Sequence, residues 1–269
     1  WNLTGAPFGK FRNKALMQKV LESTSEITES IEGLSREKFS SISASLPFNA
    51  KVNLPTKSFR EEIWINLTSP LKHQLKSEAV VDFNNSSLIE SVNTLRWDGF
   101  GWWSSNVDGS GVARVAQYFG IEISQGAVLG IIGGGGAARS TAHTWQQLGG
   151  KVKIFGGKRD LGDFEWLKPT EVTDRICDFF VNFDDDIVPD DIEITGFVLN
   201  SKYHSVSGEY EDRVLAVTGE VIDGRWLLAA QHLESWSQLW APQHADLLPP
   251  LDLLISMLIV AESILASYS

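Results

Sequence analysis

Between Val128 and Arg139 the residues read V-L-G-I-I-G-G-G-G-A-A-R, a pattern suited to holding a phosphate anion. Gly133, Gly135 and Ala138 satisfy G-x-G-x-x-G/A. The first glycine of that pattern permits a tight turn, the second lets the backbone approach a pyrophosphate, and the small third residue lets helix and strand pack closely. The anion would rest on free N–H groups at a helix N-terminus. Gly133, Gly134, Gly135, Gly136, Ala137, Ala138 and Arg139 are therefore the candidate contacts, an empty structural turn being the alternative. Further on, Phe155 to Arg159 (F-G-G-K-R) offers no acid for a ribose diol before Asp160. Lys158 and Arg159 suit a 2′-phosphate instead, so the expected cofactor is NADP rather than NAD.

Two other positions carry residue types fit for acid–base work. Lys72 follows W-I-N-L-T (Trp64 to Thr68) and Ser69-Pro70, where proline, lacking a backbone donor, ends a strand. That puts the lysine on a turn at a strand's carboxyl end, where α/β proteins place their chemistry, although a lone lysine there is commonly just solvated. Asp108 closes an aromatic-rich strand within G-F-G-W-W-S-S-N-V-D-G-S-G, as a helix opens. It reads equally well as a helix N-cap. The basic patch Lys10, Arg12 and Lys14 is either a solvated helix start or a grip on a carboxylate. No His, Cys and carboxylate set has metal-ligand spacing, the five histidines are scattered, and the acidic run Asp184 to Asp191 reads as a solvated loop.

Positioning these residues calls for alternating strands and helices. The apolar run Val128 to Ile132 is the pattern of a buried parallel strand. A helix to Leu148, stopped by Gly149-Gly150, and a second strand, Lys151 to Phe155, complete a strand–turn–helix–strand unit. Upstream, Lys38 to Leu46, Trp64 to Thr68 and Ser91 to Leu95 have strand character, while Lys14 to Leu21 and Phe59 to Ile63 read as helical. The fold class is α/β, and 269 residues are enough for two modest domains. A net charge of −11 disfavours nucleic acid or an anionic membrane as partner. Leu253 to Ala261, broken by Ser256, is too short to span a bilayer. The single Cys177 excludes an intramolecular disulfide and suits a reducing, cytoplasmic compartment. No signal peptide opens the chain, and its start at Trp1 rather than Met reads as a trimmed chain or one domain of a longer fusion.

Taken in order, N-L-T-S-P-L-K (Asn66 to Lys72), V-N-T (Val92 to Thr94), N-V-D-G-S-G (Asn106 to Gly111) and G-G-G-G-A-A-R (Gly133 to Arg139) resemble the shikimate dehydrogenase family. G-R-W-L-L-A-A-Q (Gly224 to Gln231), followed by Trp236 and Trp240, is similar to that family's terminal block. The resemblance implies an N-terminal α/β substrate-binding domain over residues 1–107 and a Rossmann-like NADP-binding domain over 108–237. It also implies that 238–269 pack back onto the first domain. The implied activity is NADPH-dependent, reversible reduction of 3-dehydroshikimate to shikimate, a step toward the aromatic amino acids. Lys72 and Asp108 match the family's catalytic pair. Asn66, Thr68, Asn93 and Gln231 match its hydroxyl-binding positions, and Asn13 and Tyr203 join them as substrate contacts. Amides and hydroxyls suit a polyol because each both donates and accepts.

Three departures accompany the resemblance. Phe11 and Asn13 stand where the family has two carboxylate-binding serines, with Lys14 in place of the following proline. Val107 replaces Thr in N-T-D-G, and Gly156-Gly157-Lys158 replaces an N-R-T/S triplet. They leave open a quinate or other cyclohexane-carboxylate dehydrogenase, or a silent member that binds ligand without turnover.

Overall fold

The computed structural model describes residues 63–68, 72, 80–98, 101–171, 173–184, 189–202, 210–219 and 221–266. The readings on Lys10, Phe11, Arg12, Asn13 and Lys14, on residues 14–21 and 38–46, and on Tyr203 lie outside them. The chain divides into two units. One holds the described residues up to Asn106 together with Ser235–Gln243 and Ile264–Ala266, and the other holds Val107–Glu234 and His244–Ser263.

In the first unit, β1 (Ile63–Asn66), β2 (Val80–Asp82), β3 (Thr94–Trp97) and β4 (Trp102–Ser105) form one sheet in the order β1-β3-β4-β2. β3 runs antiparallel to both β1 and β4, while β2 runs parallel to β4. Aromatic and β-branched side chains fit such a pleated surface. Trp64 packs edge-on to Trp236 at 4.8 Å and stacks with Trp240 at 6.1 Å. Trp240 Nε1 donates to the Leu95 carbonyl (3.1 Å) and Arg96 donates to that of Leu239 (3.0 Å), which fastens the 235–243 segment to β3. Ile63, expected to end a helix, begins β1 instead. The strand expected over Ser91 to Leu95 starts at Thr94, because the Val92 N–H turns to the Lys72 carbonyl.

The turn after β2 is organised by Asp82. Its Oδ1 accepts the Ser86 N–H (2.9 Å) and hydroxyl (2.7 Å), and its Oδ2 accepts the Ser87 N–H (2.9 Å) and hydroxyl. Burial works against the carboxylate's charge, yet these four donors outweigh it and hold the pKa below the ordinary carboxylate value. With the folded pKa the lower one, the stabilisation is complete above the unfolded value of about 3.9 and is lost as pH falls through the folded pKa. Asp82→Asn should therefore lower the urea midpoint at neutral pH, and the gap to wild type should close as the solution is acidified below about pH 4. A gap independent of pH would count against this account.

The second unit is built on β5 (Val128–Ile132), β6 (Lys151–Ile154), β7 (Ile176–Asn182) and β8 (Glu193–Asn200), all parallel in the order β6-β5-β7-β8. Helices α1 (Asp108–Tyr118), α2 (Gly136–Gln147), α3 (Tyr210–Val217), α4 (Gly224–Ser235) and α5 (Leu251–Ala266) accompany it, and a π-helical turn, Trp236–Trp240, follows α4. Leu129, Ile131, Phe179 and Val181 of the sheet share a core with Val112 and Val115 of α1 and Ala138, Ala142 and Trp145 of α2. Leu251, Ile255 and Ile259 of α5 join that core. Residues 244–263 belong to the second unit. Burying each such side chain is worth roughly 1.5–3 kcal/mol, enough to hold the helix there. Cys177 lies in the sheet interior with its thiol pushed up to about 11 by burial. Among the described residues no helix is long and apolar enough to cross a membrane.

Candidate active site

In the first unit the site residues gather where β1 ends and β3 begins. Asn66 is paired in register with Thr94, whose hydroxyl donates to Asn66 Oδ1 (3.4 Å) and to Asn93 Oδ1 (3.0 Å). Asn93 is buried, its carbonyl accepts the Leu67 N–H (2.6 Å), and its own N–H reaches the Ser105 carbonyl (3.0 Å). Lys72 is half-buried, and its carbonyl takes the Val92 N–H at 2.6 Å. Asn66, Lys72 and Asn93 are therefore brought to one edge of the sheet by main-chain bonds, with Thr68 half-buried just after β1. Asn106 is clamped nearby: its amide donates to the Ser91 carbonyl (3.1 Å) and hydroxyl (2.8 Å), and its backbone exchanges bonds with the Asn84 side chain.

In the second unit the D-G-S-G motif has a packing explanation. A Cβ on Gly109 would come 2.2 Å from the Ser140 carbonyl oxygen, and one on Gly111 would come 2.8 Å from Gln231 Cγ. The two glycines thus let α1 sit tight against α2 and α4, and Gly109 N–H donates to Ser140 Oγ at 2.9 Å. The N-cap position is Val107 and Asp108 is the first helical residue, so the aspartate is not the cap its position suggested. Only 1% exposed, it accepts Gln231 Nε2 on Oδ1 at 2.7 Å. A carboxylate in the first turn is also favoured by the helix dipole. Asp108 and Gln231, 123 positions apart in the chain, are thus joined directly.

The glycine turn has the shape its pattern demands. Gly133 adopts φ 122°, open to glycine and costly for other residues, and its N–H donates to the Gly156 carbonyl at 2.8 Å. Gly135 caps α2 in extended conformation and Gly136 opens it, so the helix's leading N–H groups, Ala137 among them, lack acceptors within the helix. Ala138 is fully buried, as close packing of helix and strand requires. The loop after β6 folds over this turn, with the Arg159 guanidinium 3.0 Å from where a Gly135 Cβ would stand. Lys158 Nζ donates to the Asp184 carbonyl at 3.1 Å. Arg139 turns elsewhere: its Nε donates to the Leu161 carbonyl (3.0 Å), and its guanidinium lies 5.0 Å from the Phe164 ring centre. These residues fit an anionic dinucleotide: bare N–H groups at a helix start, a glycine-only turn and cationic side chains beside it. Asp184, half-buried at the same place, is the residue the sequence reading missed. Burial holds the imidazoles of His143 and His232 below their usual range, which keeps them neutral at pH 7.

A parallel sheet with a glycine turn leading into a helix defines the second unit as Rossmann-like, within a two-unit α/β protein. Comparison with known proteins narrows this. The shikimate dehydrogenase (NADP(+)) of Methylibium petroleiphilum is 38% identical over 74 residues, 27% of this chain and 25% of that protein. That of Methanococcoides burtonii is 36% identical over 91 residues, 34% of this chain and 32% of that protein. The matched stretches thus span a third or less of these relatives. Among solved structures, the shikimate 5-dehydrogenase of Thermus thermophilus, in complex with NADP(H) and shikimate, is similar with a TM-score of 0.56 at 20% identity, over 77% of this chain and 80% of that one. No family model matches the chain. Over those stretches the chain is similar in sequence to shikimate dehydrogenases, and it shares the α/β fold of the Thermus thermophilus enzyme.

Proposed function

We propose that the chain is an NADP-dependent oxidoreductase that reversibly reduces 3-dehydroshikimate to shikimate. The observation that carries this reading is the buried Asp108 carboxylate held at 2.7 Å by Gln231, since both match functional positions of the family and D-G-S-G packing sets them side by side. NADPH, when bound, supplies the hydride that goes to the keto carbon. The chain's own residues supply the rest. Gly133 to Gly136 and Ala137 receive the pyrophosphate, and Lys158 and Arg159 receive the 2′-phosphate. Lys72 gives a proton to the oxygen that becomes the hydroxyl, and Asp108, which matches the family's partnering aspartate, is the second catalytic group. Asn66, Thr68, Asn93 and Gln231 hydrogen-bond the ring hydroxyls.

A spectrophotometric assay that follows NADPH with shikimate, quinate and their keto forms tests the proposal. The expected result is turnover with the shikimate pair and a lower Michaelis constant for NADPH than for NADH. NADH used as efficiently as NADPH would overturn the cofactor assignment, and quinate turned over in preference would overturn the substrate. Shikimate binding in calorimetry without any turnover would favour the silent member that Phe11 and Asn13 suggest.

A further inference from the structure

In open parallel sheets, ligands bind beyond the carboxyl ends of the strands, at the point where the strand order reverses. In the order β6-β5-β7-β8 that point lies between β5 and β7. Its two lips are Gly133, just after β5, and Asn182 to Asp184, at the end of β7. Asp184 opens the acidic run that composition assigns to a solvated loop, yet its carboxylate is held in place. Oδ2 accepts the backbone N–H of Lys158. A Cβ on Gly157 would stand 2.5 Å from that same oxygen, and one on Gly133 would stand 3.3 Å from Oδ1. The Asp184 N–H donates to Asn182 Oδ1 (3.1 Å), and its carbonyl receives Lys158 Nζ (3.1 Å) and Lys202 Nζ (3.4 Å). Bonds from the Asn182, Lys158 and Lys202 side chains thus fix the backbone of Asp184, and the Lys158 N–H holds its carboxylate beside the glycine turn.

We propose that Asp184 is a specificity-determining residue for the adenosine end of the cofactor. It stands beside the loop that β6 leaves without an acid and works against a 2′-phosphate there. This inference rests on the dinucleotide reading of the glycine turn. A carboxylate has about four acceptor positions, so Asp184 keeps capacity for a ribose hydroxyl after accepting the Lys158 N–H. To a phosphate dianion held by Lys158 it would be a like charge, in a half-buried place that salt screens poorly. Lys158 and Arg159 attract the phosphate and Asp184 opposes them, so the preference for NADPH is smaller than two basic residues alone would set.

The test is calorimetric titration of the intact chain with adenosine 2′,5′-bisphosphate and with 5′-AMP, which requires no turnover. Asp184→Asn keeps the size of the side chain and an acceptor for the Lys158 N–H. It should raise the affinity ratio in favour of the 2′-phosphorylated nucleotide by roughly tenfold. If that variant does not fold, as judged by its melting curve, Asp184→Ser carries the same test with the same expected direction. Binding of both nucleotides with an unchanged or lowered ratio overturns the role of Asp184 and leaves the dinucleotide site standing. If neither nucleotide binds the wild-type chain, the dinucleotide reading itself falls, and this inference with it.

Discussion

Lys72→Ala should lower the rate of NADPH-dependent reduction by about 10²–10⁴-fold while nucleotide binding stays nearly unchanged. The effect is large because the alkoxide forming on the substrate needs a proton, and no bulk water donor is positioned for it as a tethered ammonium is. Nucleotide binding is spared because Lys72 stands at the edge of the first unit's sheet, whereas the glycine turn belongs to the second unit. The backbone of Lys72 is pinned through Val92, so the truncation leaves that anchor in place. Lys72→Arg is the informative companion. It retains positive charge but spreads it over a guanidinium that does not release a proton near neutral pH, so it should fail to restore turnover. Steady-state kinetics with both variants, alongside nucleotide titration, makes the distinction. Full activity in Lys72→Ala would remove the lysine from the mechanism.

The largest expected loss of stability lies away from the site, at Glu262. Arg225 is 2% exposed, its Nε shared between the two Glu262 oxygens at 3.0 Å each, with an NH1 contact to Asp223 at 3.1 Å. Burial disfavours the guanidinium's charge, but the two carboxylates outweigh this and hold its pKa above the ordinary value. Glu262→Ala would strip a buried cation of a carboxylate partner, and such truncations cost about 3–5 kcal/mol. The pair also joins α4 to α5, so loosening it weakens the hold on the helix that carries Leu251, Ile255 and Ile259 into the core. Urea denaturation should show a clearly lowered midpoint. Replacing both partners with apolar residues, as in the double variant Arg225→Met with Glu262→Leu, should recover most of the loss, because neither charge is then left stranded. A single variant as stable as wild type would show the ion pair to be incidental.

How far the sequence spoke depended on how local each signal was. β5, the glycine turn, α2 and β6 were legible because a short apolar run, contiguous glycines and a second apolar run all fall within thirty residues and need no distant partner. Asp184 was not legible. Its role follows from β7 pairing with β5, which sets an acid from one strand end against the loop of another, and no local pattern encodes that pairing. The α5 residues were ambiguous for a different reason: Leu253, Met257 and Val260 are exposed while Leu251, Ile255 and Ile259 are buried, so the apolar character runs around the helix and periodicity alone selects no face. Asp108 read equally well as a cap, and only its bond to a glutamine in a helix far along the chain separates the two. The roles of Lys72, Asn66, Thr68 and Asn93 came from family resemblance. Their residue types alone described any polar sheet edge.

The lone thiol offers a use that its inertness makes possible. Cys177 is completely enclosed between β5 and the neighbouring strands, and a group so placed meets a thiol reagent only when that sheet parts. With no other sulfhydryl in the chain to confuse the record, the rate of its alkylation is a clock for breathing of the nucleotide-binding half. Any ligand that grips that half should slow the clock, whether or not chemistry follows.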